Sequence, residues 1–204
     1  MKHSILKYSL LSCIASLALT SCVSDDDFIT PPLQSPIYSE SFQTVVNNQV
    51  LELENWTNVS QAGNVKWIGK TFSGNGYAEF TTFGSSDASN IGWLVSPEIA
   101  LDSNVGKRLV FQTAQHHWNN AANTFQVFIS TDFDGDVTAA TWSELTDATL
   151  VTQDIDWYEF VNSGPIDLSN IEGPFHVAFK GVGNGSTLTA GFQVDNVTVY
   201  SENN

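Results

Sequence analysis

Basic residues are few: 7 Lys and Arg stand against 22 Asp and Glu in 204 residues, a formal net charge of −15. A surface that acidic repels a phosphate backbone, which argues against nucleic acid as a partner. It suits a secreted protein or a cation binder, and it also serves plain solubility. Cysteine is scarcer still, at Cys13 and Cys22 alone. No Gly-x-Ser-x-Gly elbow, His-Glu-x-x-His helix or phosphate-binding glycine loop occurs, so the chain carries none of those catalytic signatures and is not expected to be an enzyme. No segment sustains an apolar period of 3.6 residues, which removes helical bundles. The apolar run Leu10–Leu19 is too short to span a bilayer as a helix.

What is present begins with that run. Lys2, His3 and Lys7 precede it, the pattern of a secretory signal over residues 1–21. It ends Leu19-Thr20-Ser21-Cys22, which resembles the bacterial lipobox, where a cysteine is acylated and becomes the new amino terminus. Two acyl chains on Cys22 meet the two-signal requirement for stable anchoring. Cleavage removes two lysines and no acid, so the charge moves from −15 to −17. Cys13 leaves with the signal, so no disulfide is open to the mature chain. Val23-Ser24-Asp25-Asp26-Asp27 resembles the acidic export signal of Bacteroidetes surface lipoproteins. The prolines of Thr30–Pro36 make a semi-stiff spacer, so residues 22–36 read as tether and residues 37–204 as one domain. The location implied is the outer membrane, facing outward.

From Ile37 onward, short apolar runs alternate with Gly, Asn, Ser and Asp clusters, the pattern of an all-β sandwich or barrel. Strands are expected at Val65–Phe72, Tyr77–Phe83, Ile91–Val95, Arg108–His117, Phe125–Ser130, Trp157–Val161, Phe175–Phe179 and Gly191–Tyr200, with a turn at Gly74-Asn75-Gly76. Val45–Leu53 has room for a turn or two of helix. The last strand changes phase: Phe192 and Val194 alternate one way, Val197 and Val199 the other, together with Asp195. Glu40 likewise falls on the Tyr38/Phe42 face. A carboxylate on an apolar face is costly unless a cation or several donors meet it. Glu40 and Asp195 are therefore candidate ligands of a structural Ca²⁺ clasping the two ends of the domain; the alternative is that both acids sit at strand ends, wetted by solvent or hydrogen-bonded to backbone.

Asp132, Asp134 and Asp136 form a second acidic group around Gly135. It departs from the EF-hand template, since glycine is fourth and Ser143 holds the twelfth position. It is either a tight Asp/Gly turn or a calcium turn of other geometry. His116 and His117 fall on opposite faces of a strand and do not share an ion unless a bulge turns them. Trp118, followed by Asn119 and Asn120, is either a sugar or peptide platform at the rim or a cap on the core.

Four segments together resemble a family. Trp93-Leu94-Val95-Ser96-Pro97 is similar to its W-L-[IV]-S-P signature. Phe128–Gly135 followed by Ala140-Thr141-Trp142, Ser163–Ser169, and Phe192-Gln193-Val194-Asp195-Asn196-Val197 are similar to its later motifs. This is the choice-of-anchor J domain, related to the cleaved-adhesin domains of Bacteroidetes surface proteins. Phe192 stands where the family usually has Trp, and the segment between Phe42 and Val65 lacks the family's proline-glycine-tryptophan pattern. The resemblance implies a jelly-roll β-sandwich of galactose-binding-like or concanavalin-like type. It also implies adhesion or ligand binding to an extracellular glycan or protein, and a structural Ca²⁺ between first and last strands. A secreted glycan-active hydrolase and an accessory subunit of an outer-membrane complex are the alternatives.

Overall fold

Alternation of β-branched and aromatic residues with polar ones builds strands through most of the chain. The computed structural model describes residues 36–100 and 106–202, and every regular element among them is a strand. Cys22, the acidic run and most of the spacer lie outside the described residues. In order the strands are β1 (Pro36–Glu40), β2 (Thr57–Ala62), β3 (Ile68–Phe72), β4 (Asn75–Thr81), β5 (Asn90–Val95) and β6 (Gly106–His116). They continue as β7 (Thr124–Ser130), β8 (Ser143–Glu144), β9 (Val161–Asn162), β10 (Ile166–Asp167), β11 (His176–Gly183) and β12 (Gly191–Glu202).

Two antiparallel sheets face each other as a jelly-roll sandwich. One runs β10-β6-β12-β4-β3, with β1 also on β12 and β9 also on β6. The other runs β2-β5-β11-β7-β8. First and last strands pair, Tyr38 opposite Val199 and Glu40 opposite Val197. The core between the sheets is aromatic: Phe42, Trp67, Phe80, Phe111, Phe175, Phe179 and Phe192 are each at most 1% exposed. Phe80 reaches across from β4 to the paired Gly92 and Gly181 of β5 and β11, where an added Cβ at either glycine would collide with its ring. A smaller cluster of Trp93, Val95, Val137 and Ala178, with Phe128, Phe133 and Trp142 packed on it, backs the second sheet.

Three expectations are corrected. The turn or two of helix over Val45–Leu53 does not form; the segment turns and bridges Val50 to Ile68. The strand expected at Trp157–Val161 shrinks to β9, because Tyr158 takes φ 64 and leaves extended geometry. The phase change in β12 is a bulge: its register on β6 slips between Asp195 and Thr198, with Asn196 at φ 51. The extra residue restores the pattern, so Phe192, Val194, Val197 and Val199 all enter the core. Asp195 is turned to the opposite face of the sheet, yet it is only 1% exposed.

Candidate functional site

The outer face of the β3-β4-β12-β6 region carries the polar half of each alternation. Tyr77 and Glu79 come from β4, Lys70 and Phe72 from β3, Gln193 and Asp195 from β12. The two-residue turn Ser73-Gly74 (φ 51 and 85) joins β3 to β4 in the geometry that follows a hairpin's twist. Tyr158 leads the segment that folds over this face, its N–H donating to the Gln115 carbonyl at 2.8 Å. A cleft of about 600 Å³ remains between that segment and the β3–β4 hairpin, a size that seats a small ligand. Its walls are rings: Phe160 meets Tyr77 edge-on at 5.6 Å, while Tyr158 is half exposed and Phe72 74% exposed. Asn47 and Asn75 add amides. Asn47 Oδ1 accepts from the Thr71 N–H, which leaves its NH₂ without a protein partner among the described residues. A second groove, about 560 Å³ along Thr44–Leu53, mixes aliphatic side chains with Thr44, Gln49 and Glu52 and has no ring to stack on.

Beneath the cleft lies a buried acid. Glu79 is 2% exposed. Gln193 Nε2 donates to its Oε2 at 2.8 Å, His116 Nε2 lies 3.3 Å from the same oxygen, and Lys70 Nζ is 3.8 Å from Oε1. Burial alone would push Glu79 up, but the close approach of His116 Nε2, the Gln193 hydrogen bond and the charges of His116 and Lys70 outweigh it and hold the carboxyl below its ordinary value. Burial, then the Glu79 charge and Tyr158, pushes the Tyr77 phenol up to about 12, and burial and Glu79 raise Tyr158. Both phenols therefore keep their protons at neutral pH and offer O–H groups.

Replacing Glu79 by Gln is expected to lower stability by about 1–3 kcal/mol at neutral pH. A lowered folded pKa gives stability that is fully present above the unfolded value and lost as pH falls through the folded one. The difference between the two proteins should thus close in acid. Urea melts at pH 7 and pH 3 check this; an equal gap at both refutes it.

Asp195 borders the cleft through Asn75, whose Nδ2 donates to Asp195 Oδ2 at 2.8 Å while its Oδ1 accepts from Gln43 at 2.8 Å. Asp195 Oδ1 accepts the Asn196 N–H at 2.7 Å, and Glu40 Oε1 accepts the Phe42 N–H at 2.6 Å. Burial first, and then the neighbouring Glu40 charge, push Asp195 up against the Asn75 and Asn196 hydrogen bonds. Two carboxylates thus stand near enough to feel each other's charge with lone pairs to spare, oxygens of the hard type that Ca²⁺ takes. Left-handed residues follow both acids, Phe42 at φ 52 and Asn196 at φ 51.

The remaining sequence candidates are placed as follows. Asp132 Oδ1 accepts from Ser130 Oγ at 2.7 Å and the Thr141 N–H at 2.8 Å. Asp136 Oδ1 takes the Thr138 N–H and hydroxyl at 2.8 and 2.7 Å. Asp132, Asp134 and Asp136 are exposed, and no three His, Cys, Asp or Glu side chains among the described residues converge on an ion-holding point. Trp118 stands edge-on to Phe192 at 5.0 Å with Nε1 bonded to the Asn120 carbonyl, closing one end of the core. Asn119 is exposed, and Asn120 Oδ1 accepts the Ala122 N–H within the turn. Sequence reasoning missed the cleft. The available signal was Glu79 inside the run Tyr77-Ala78-Glu79-Phe80, an acid in the same unlikely company as Glu40.

The architecture and this outer-face cleft define an antiparallel jelly-roll sandwich. Residues 70–202 match the family described as a domain of unknown function, DUF5017, and the chain belongs to that family. No curated protein matches it in sequence. Among solved structures it is similar to the K1 cleaved adhesin domain of Lys-gingipain from Porphyromonas gingivalis W83, with TM-score 0.54 and 19% identity over 81% of this chain and 98% of that one. The K3 domain of the same protein gives TM-score 0.54 and 19% identity over 82% and 100%. The K2 domain of Lys-gingipain gives 0.52 and 12% over 81% and 99%. At these identities the likeness is one of fold.

Proposed function

We propose that the chain is a lipid-anchored, surface-displayed binding module that takes a glycan in the cleft beside Tyr77, Tyr158 and Phe160. One observation carries this: protonated phenols, an open Phe72 ring and a free amide surround a preformed space on a rigid sheet. Sugar rings present apolar C–H faces to aromatic rings and hydroxyls to amides, so the lining matches their chemistry. The segments similar to choice-of-anchor J domains and the adhesin-type fold support the same reading. Cys22 carries the acyl anchor, outside the cell on the outer membrane. Glu40 and Asp195 hold a Ca²⁺ that steadies the strand ends next to Asn75.

The test is a screen of neutral oligosaccharides, followed by titration calorimetry on any hit. Tyr158→Ala is expected to weaken binding roughly tenfold, the value of a stacked ring. Silence across the glycans and across extracellular matrix proteins would overturn the reading, and undiminished binding by Tyr158→Ala would remove it from this cleft.

A further inference from the structure

β6 ends at His116, and the next residue breaks its alternation. His117 takes φ 54, which swings its ring to the side of His116 instead of the opposite face. The two Nδ1 atoms come to 2.8 Å, with the rings perpendicular and their centroids 5.1 Å apart. The bulge-like turn that the alternation argument required is thus present.

We propose that His116 and His117 form a two-nitrogen site for a divalent transition metal of the copper(II) class. Two nitrogens bound cis at about 2.0 Å on a square-planar ion are separated by about 2.8 Å, the spacing the pair already holds. Imidazole is the ligand such ions favour, and copper(II) stands highest in the divalent series. His116 Nε2 lies 3.3 Å from the Glu79 carboxylate without hydrogen-bond alignment, and in the metal-free pair the Nδ1–Nδ1 contact is itself a hydrogen bond. A carboxylate behind the far nitrogen is the support that metal-bound histidines characteristically have. Ligation by both nitrogens displaces the proton shared between the two Nδ1 atoms, which leaves to solvent or moves to His117 Nε2.

The surroundings hold both rings still. Tyr158 stacks on His116 at 5.1 Å and 19°, and Trp157 lies on His117 at 4.0 Å. Gly191 sits opposite His116 in the sheet, and a Cβ there would run into the imidazole. His117 is exposed, so an ion reaches the pair from solvent and water completes its coordination.

The test uses the full chain carrying His3→Ala, so that no imidazole stands near the amino terminus. Copper(II) is titrated in a non-coordinating buffer and followed by tryptophan fluorescence and electron paramagnetic resonance. One equivalent should bind, quench Trp157, and give an axial spectrum with hyperfine structure from two nitrogens. His117→Asn keeps the left-handed turn, which Asn tolerates, and should cost at least tenfold in affinity. Glu79→Gln should cost about 10–100-fold, as loss of a supporting carboxylate does. Trp157→Phe should retain the resonance spectrum while losing most of the quenching, which keeps the test decisive if His117→Asn folds poorly. An unchanged midpoint in His117→Asn, or full quenching in Trp157→Phe, overturns the site.

Discussion

Calcium added in hundredfold excess over its dissociation constant is expected to raise the melting temperature of chelator-treated protein by about 5–11 °C. Such an excess adds about 2.7 kcal/mol to the folded state, and a domain of this size gains about 2–4 °C per kcal/mol. The reason is the condition of Asp195 without an ion. It is 1% exposed, raised by burial and by the Glu40 charge, and met among the described residues by two N–H donors, from Asn75 and Asn196. A divalent cation between the two carboxylates removes their repulsion and replaces the lost hydration. The left-handed Phe42 and Asn196 beside them are backbone conformations of the kind held at ligand sites.

Asp195→Asn then separates the two halves of the claim. An acid whose folded pKa is raised contributes stability at low pH, where it is protonated, and loses it as pH rises through the folded value. In chelator, wild type and Asp195→Asn should melt together in acid and diverge above it, the variant melting higher at neutral pH. With calcium the variant should show no rise. A wild-type melt indifferent to chelator and calcium sinks the cation assignment.

The strands were legible where alternation was regular. β5, β6, β7 and β12 follow their apolar residues closely, because a strand with one face in the core cannot slip register without exposing it. Pairing partners were not legible, and this is why the cleft was missed: Lys70, Glu79, His116 and Gln193 come from four strands, and only the β3-β4-β12-β6 order sets them side by side. Asp195 drew notice for an imperfect reason. Period-two counting placed it among core residues, whereas a single inserted residue at Asn196 accounts for the phase change, and its burial comes from the opposite face. Trp157 and Tyr158 resemble strand residues by composition, but a left-handed turn at Tyr158 puts that ring in the wall of the cleft and lays Trp157 on His117. Local propensity does not reveal where a chain will trade extension for a contact across the fold.

Phe80→Ala is expected to cost about 3–5 kcal/mol, a fall of about 6–20 °C in melting temperature. The ring is 1% exposed and packs on Trp67 at 5.7 Å. Its other flank rests on Gly92 and Gly181, which have no side chains to relax into the space it would leave. The upper end of the range follows, because cavity cost grows where neighbours cannot collapse. Those glycines make the claim sharper. Gly181→Ala alone should destabilise by about 1–3 kcal/mol, since its Cβ enters the Phe80 ring. Combined with Phe80→Ala, the same methyl enters an empty volume and should be neutral or stabilising, an interaction energy well outside additivity. Denaturant melts of the two single variants and the double variant measure it. Additive losses would mean that Phe80 is not what the glycine pair accommodates, and the account of how β4 is seated, with Glu79 on its outer side, would have to be replaced.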